Sequence, residues 1–199
     1  MKTIASITTT ICTVKGAENH RISTEPPLDE IISEAKRTLG GENIDSCLIY
    51  APDAISEALW RNQRDQFVGV ERLAPTSILL RSMVPPPKTP VCFASMFTGA
   101  LPEAHGIRQY EKPVLECDTI FDSIFRAGKR AAIESVDDSS IAKIFLERNI
   151  DYLIVRATRK STPAPRMQSR GTPTTWSSST TKITTTPSME ARLGPGKPL

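Results

Sequence analysis

Apolar positions along this chain come in short, separated groups whose spacing alternates between helical and strand-like. Leu28–Leu39 places apolar residues at 28, 31, 32, 35 and 39, the spacing of one helical face, and Gly40-Gly41 stops it. Ser46–Ala51 is short and nearly continuously apolar, as expected of a buried strand in a parallel sheet. It ends at Pro52-Asp53-Ala54, and Ile55–Trp60 predicts the start of a helix, followed by a polar, exposed stretch over Arg61–Arg72. Ser77–Met83 predicts a second strand. Val84-Pro85-Pro86-Pro87-Lys88 is a rigid connection that excludes helix. Pro90 then suits the first turn of a helix whose apolar run, Val91–Phe97, stops at Thr98-Gly99.

Further on, Asp118–Arg126 carries Ile120, Phe121, Ile124 and Phe125 on one helical face, and Gly128 ends it. Arg130–Val136 predicts a third strand, Ser139–Arg148 a helix, and Ile150–Val155 a fourth strand. Strands alternating with helices of this length predict an α/β fold: a doubly wound, mostly parallel sheet with helices on both faces. The flanks read differently. Residues 1–27 are Thr-rich and end at Pro26-Pro27, so a loose extension is expected there. Residues 28–155 make the partial α/β domain. After Val155 the chain turns to Ser, Thr, Pro and basic residues, the composition of a disordered tail over 156–199.

Composition narrows the class only slightly. The chain has 199 residues, room for one ordinary domain, and its apolar share is 39%. A net charge of +3 gives no argument for binding nucleic acid or an anionic membrane. Cys12, Cys47, Cys92 and Cys117 form no C-x-x-C pair; Cys47 and Cys92 lie in apolar runs and read as buried free thiols of a reducing compartment. No apolar run is long enough to span a bilayer, and Met1–Val14 makes a poor signal-peptide core, so a cytoplasmic protein is the default expectation.

Two residues stand where chemistry belongs. Asp53 sits at the carboxyl end of a predicted strand, where open α/β sheets place their ligands, although a helix N-cap explains it equally. Thr89 places a hydroxyl at the mouth of a helix, the position of a nucleophile or of a phosphate oxygen, and an N-cap explains it too. Asp137-Asp138, at the end of the third strand, reads first as part of a cap for the following helix. His105 is expected to orient its loop, and His20 receives no role.

The literal residues add to this. The segment TPVCFASMFTGALPEAHGI, Thr89–Ile107, resembles the nucleophile segment of the alkaline phosphatase superfamily, in particular the type I phosphodiesterase/nucleotide pyrophosphatases. In that superfamily the attacking residue lies ten positions before the Gly of a Thr-Gly, and Pro-x-x-His-Gly follows. Thr98-Gly99, Pro102 and His105-Gly106 match, and Thr89 falls on the nucleophile; Pro90 departs from the pattern, since relatives often place Pro one residue later. The resemblance covers roughly Ser46 to Val155. It implies a metal-dependent hydrolase of phosphate esters, acting on phosphodiester or nucleotide pyrophosphate bonds of a small molecule through a covalent threonine intermediate. It further implies two divalent metal ions, zinc being the expected one, about 4 Å apart. Asp53 would be a metal ligand, and Thr89 both nucleophile and ligand. A sulfatase fits less well, because that chemistry starts from Cys or Ser at the nucleophile position. The alternative class is a non-catalytic α/β interaction module with a basic tail.

The tail has a second reading in the genetic code. Read one base upstream, a Thr codon ACN becomes NAC (Tyr, His, Asn or Asp), and a Ser codon TCN becomes NTC (Val, Ile, Leu or Phe). Thr174–Lys182 then permits Tyr-Asp-Leu-Val-Val-Val-Tyr-Asn-Gln, a hydrophobic strand with a polar end, and Arg159–Ala164 permits Glu-Glu-Val-Asn-Ala-Arg, the start of a helix. Further along, Thr185 and Thr186 can become Asp, Met189 His, and Glu190 becomes Gly, which resembles the superfamily's next metal ligands. The expectation is a frame slip near Val155–Arg156. The missing ligands would then lie in the lost frame, and the 199-residue chain would be inactive or nearly so.

Overall fold

A computed structural model of the chain describes residues 2–19, 22–53, 55–156 and 180–184, the last by its backbone alone. The first element is a helix, α1 (Ser6–Lys15), where the sequence reading expects a loose extension. Its threonines are poor helix formers, and tertiary placement overrides that preference. Thr10 and Thr13 return their hydroxyls to the carbonyls four residues back, at 2.6 and 2.8 Å. Thr8 donates to Met96 O and Thr9 to Glu25 O, each at 2.7 Å. Ile11 and Cys12 enter the core, while Lys15 is fully buried with its ammonium on Asp45 O at 2.9 Å. Burial drives the Lys15 pKa down. Gly16, left-handed at φ 63°, ends the helix.

Helix α2 (Asp29–Thr38) follows the predicted spacing, but only Leu28, at its cap, is buried. Strand β1 (Cys47–Tyr50) comes next, then α3 (Glu57–Asn62) and α4 (Val68–Leu73), both exposed. The expected strand over Ser77–Met83 does not form: among the described residues the segment has no sheet neighbour, Leu79 is exposed, and only Met83 bridges, to Thr3. After it come α5 (Thr89–Thr98), α6 (Pro102–His105) and α7 (Ile120–Arg126). The α7 face is narrower than predicted, because Ile120, Phe121 and Ile124 are buried and Phe125 is exposed. Strand β2 (Arg130–Val136) has the predicted bounds. Helix α8 (Ser140–Ile144) is shorter than expected, and Glu147 turns left-handed soon after it, at φ 64°. Strands β3 (Asp151–Val155) and β4 (Thr180–Thr184) complete the sheet.

All pairings are parallel and the order is β1-β4-β2-β3, so the fold is α/β around a small parallel sheet. The disordered-tail expectation therefore does not hold for Thr180–Thr184; the remainder of the tail, 157–179 and 185–199, lies outside the described residues, as does His20. One face of the sheet carries the core. Cys47, Ile49, Ala131 and Ile133 share that face by register and pack with residues of α1, α5, α7 and α8. Phe97, Phe121 and Phe145 meet there with centroids 5.1–5.7 Å apart. Strand β1 is half-buried on that face only: Leu48 and Tyr50, on the other, are exposed, unlike the fully buried strand expected.

Candidate functional site

The carboxyl ends of the parallel strands hold the residues singled out by sequence. Asp53 follows β1 by three positions, just past Pro52. Thr89 is the first residue of α5, and Lys88, extended at φ −114°, takes the cap position without a side-chain bond. The N-cap explanation of Thr89 is thus not realised. Its hydroxyl instead donates to Asp53 Oδ1 at 3.1 Å. Pro90 fixes the first turn, where a missing N–H costs nothing, and is buried. Asp53 then lies by the amino end of α5, where unpaired N–H groups favour negative charge.

Cys92, one turn into α5, was not singled out for this site by sequence, although its position three residues after Thr89 puts both on neighbouring points of one helix face. It is half-buried, its thiol reaching Pro86 O at 3.9 Å. Burial pushes its pKa up, and the Asp53 carboxylate adds to that rise. The reading of Cys47 and Cys92 as free thiols agrees with the structure, in which both are half-buried rather than fully so.

The other end of the motif is structural. His105 is buried beneath α5, its Nδ1 accepting from the Ile107 N–H at 3.2 Å. That places the proton on Nε2, which donates to Ser95 Oγ at 2.9 Å. Burial lowers the His105 pKa to about 4, so the ring is neutral near pH 7. Both ring nitrogens are committed, and the residue pins the loop after α6 to α5, as the sequence reading expected. Gly99, at φ 68°, closes α5, and its carbonyl accepts from Thr24 N at 3.0 Å.

At the end of β2, Asp137 Oδ1 accepts from the Asp138 N–H at 2.9 Å, while Ser139 caps α8 through Ala142 N at 3.2 Å. Asp138 pairs loosely with Lys112 and Lys143 at the surface. Asp53 and Thr89 are thus in direct contact, and Asp137 belongs to a turn one strand beyond β4. Among the described residues there is no group of three or more His, Cys, Asp or Glu that could hold a metal ion. Asp53 and Thr89 supply two oxygen donors, too few for the two-metal centre that the resemblance implies. Comparison with protein-family models, with curated proteins and with solved structures finds no match for this chain. No helix among the described residues is long and apolar enough to cross a membrane.

Proposed function

We propose that this chain carries the nucleophile half of a phosphate-ester hydrolase of the alkaline phosphatase superfamily type, cleaving phosphodiester or nucleotide pyrophosphate bonds of small molecules. The supporting observation is the 3.1 Å bond that brings the Thr89 hydroxyl onto Asp53 Oδ1 at the carboxyl edge of the sheet. Thr89 Oγ1 is the attacking atom, and its proton already points at a carboxylate. An unassisted threonine hydroxyl is a poor nucleophile at neutral pH. Divalent cations, zinc being the expected ones, would supply the positive charge that lowers its pKa and offsets charge on the transferring phosphoryl group. Asp53 holds its oxygen in place for such a cation, and Pro90 and the α5 turn fix the direction of attack.

The remaining ligands are assigned to the upstream reading frame beyond Val155, as is the doubly wound architecture with helices on the second face of the sheet. The 199-residue chain is accordingly inactive or nearly so. The test is hydrolysis of bis-p-nitrophenyl phosphate in the presence of zinc. A chain expressed with the upstream frame restored turns it over and loses that activity in Thr89→Ala, whereas the 199-residue chain does not. An inactive restored chain, or a Thr89→Ala variant as fast as its parent, removes the proposal.

A further inference from the structure

Between Asp53 and Thr89 the chain makes a long excursion, and that excursion builds a cavity of its own. Ile55, Glu57 and Trp60 line one side and Leu79, Leu80 and Arg81 the other, around about 290 Å³. Ile55 follows Asp53 by two positions, and two residues span at most about 7 Å. One wall of the cavity is therefore close to the carboxylate that holds the Thr89 hydroxyl.

The walls are fixed by polar pairs that leave the cavity without net charge. Glu57 Oε1 accepts from Arg61 Nε at 2.7 Å and from Arg81 Nη2 at 2.6 Å, tying α3 to the segment that carries Leu79 and Leu80. Glu57 and Arg81, the two charged lining residues, neutralise each other. Ser56 Oγ accepts from Leu59 N at 3.1 Å as the cap of α3. Trp60 is held at its edge, where Nε1 donates to Glu71 Oε1 at 3.1 Å. The Arg64 guanidinium lies over the indole, 5.5 Å from the ring centroid. Arg64 does not line the cavity, so Trp60 meets the cavity by another side.

We propose that this cavity takes a flat, uncharged aromatic ring, that of the phosphate ester whose phosphorus Thr89 attacks. An indole and branched aliphatic chains suit such a ring, whereas a charged group would be desolvated there beside an ion pair already closed. The volume suffices, since a cavity of ~150 Å³ accommodates benzene. Trp60 and Leu79 are then specificity residues for the ester's ring. Assigning the ring to an ester rests on the hydrolase proposal; the cavity's choice of a ring does not.

The test is an NMR titration of the indole N–H signals of the full 199-residue chain, which has two tryptophans, Trp60 and Trp176. Trp176→Phe assigns the two signals. Phenol or uridine, each flat and uncharged, is expected to shift the Trp60 signal saturably. Which of them does so names the ring, a simple aryl group or a nucleobase. Leu79→Asp is expected to weaken that binding by ~10-fold or more. Leu79 is 70% exposed, so the substitution leaves folding intact. The proposal is overturned if neither ring gives a saturable shift, if ribose gives the same shift, or if Leu79→Asp binds as well as its parent. No turnover is read, so ring binding by a restored-frame chain that cannot hydrolyse the diester would remove the hydrolase proposal alone.

Discussion

Thr89 and Asp53, 36 positions apart in the chain, share a hydrogen bond of 3.1 Å from Oγ1 to Oδ1. It joins the start of α5 to the loop that follows β1. A hydroxyl at a helix start usually caps its own helix. Here it reaches across to a carboxylate, which leaves the cap to the extended Lys88.

Removing that hydroxyl should therefore be felt by Asp53 rather than by the helix. Thr89→Val keeps the shape and deletes the donor, and is expected to cost about 1 kcal/mol of stability. Thr89→Ser should recover most of it. Urea denaturation of the three proteins checks this, and equal midpoints for Val and Thr would mean that the bond contributes nothing.

Metal binding gives a second readout. With two oxygen donors in contact, the 199-residue chain should bind zinc weakly, and Asp53→Asn should abolish what it binds. Isothermal titration decides the matter. Tight binding that survives Asp53→Asn would place the zinc elsewhere.

His105 should make the protein acid-sensitive. Its pKa is lowered from 6.5 to about 4 in the folded chain, so between those values the unfolded chain binds a proton that the folded one refuses. Stability is full above about pH 6.5, falls as pH drops toward 4, and this contribution flattens below. The loss is on the order of 3 kcal/mol. Thermal melts of the parent and of His105→Gln across that range should diverge, the variant being less pH-dependent.

Gly99 is a backbone requirement rather than a chemical one. At φ 68° a side chain is strained, and a Cβ there would lie 2.3 Å from Ser23 Oγ. Gly99→Ala is expected to destabilise by about 1–2 kcal/mol. Adding Ser23→Gly should recover the steric part only, which calorimetry on the double variant can separate.

The nucleotide sequence near codon 155 tests the frame directly. Strand β4, the Thr-Thr-Lys-Ile-Thr of Thr180–Thr184, holds an interior place between β1 and β2, where parallel sheets favour near-continuous apolar runs. The upstream frame offers Leu-Val-Val-Val-Tyr over 176–180, at the edge of that slot. An early stop codon in the upstream frame ends the idea.

Local signals were sufficient for β1, β2, β3, α5 and α7, because each carries its own apolar run and all but β3 have a Pro or Gly near one end. They also marked Asp53 and Thr89, since an acid after a strand and a hydroxyl before a helix are visible in the chain itself. Helix α1 was not legible. Its threonines look polar until the carbonyls of Met96 and Glu25, distant in sequence, accept their hydroxyls. The apolar run at Ser77–Met83 was over-read for the converse reason, that a strand needs a neighbour and among the described residues this one meets only Thr3. Sequence thus determined which residues could form elements and which could act, through covalent geometry and side-chain periodicity. Only the tertiary structure decided strand order and the meeting of Thr89 with Asp53, because those depend on hydrogen-bond and packing partners far along the chain.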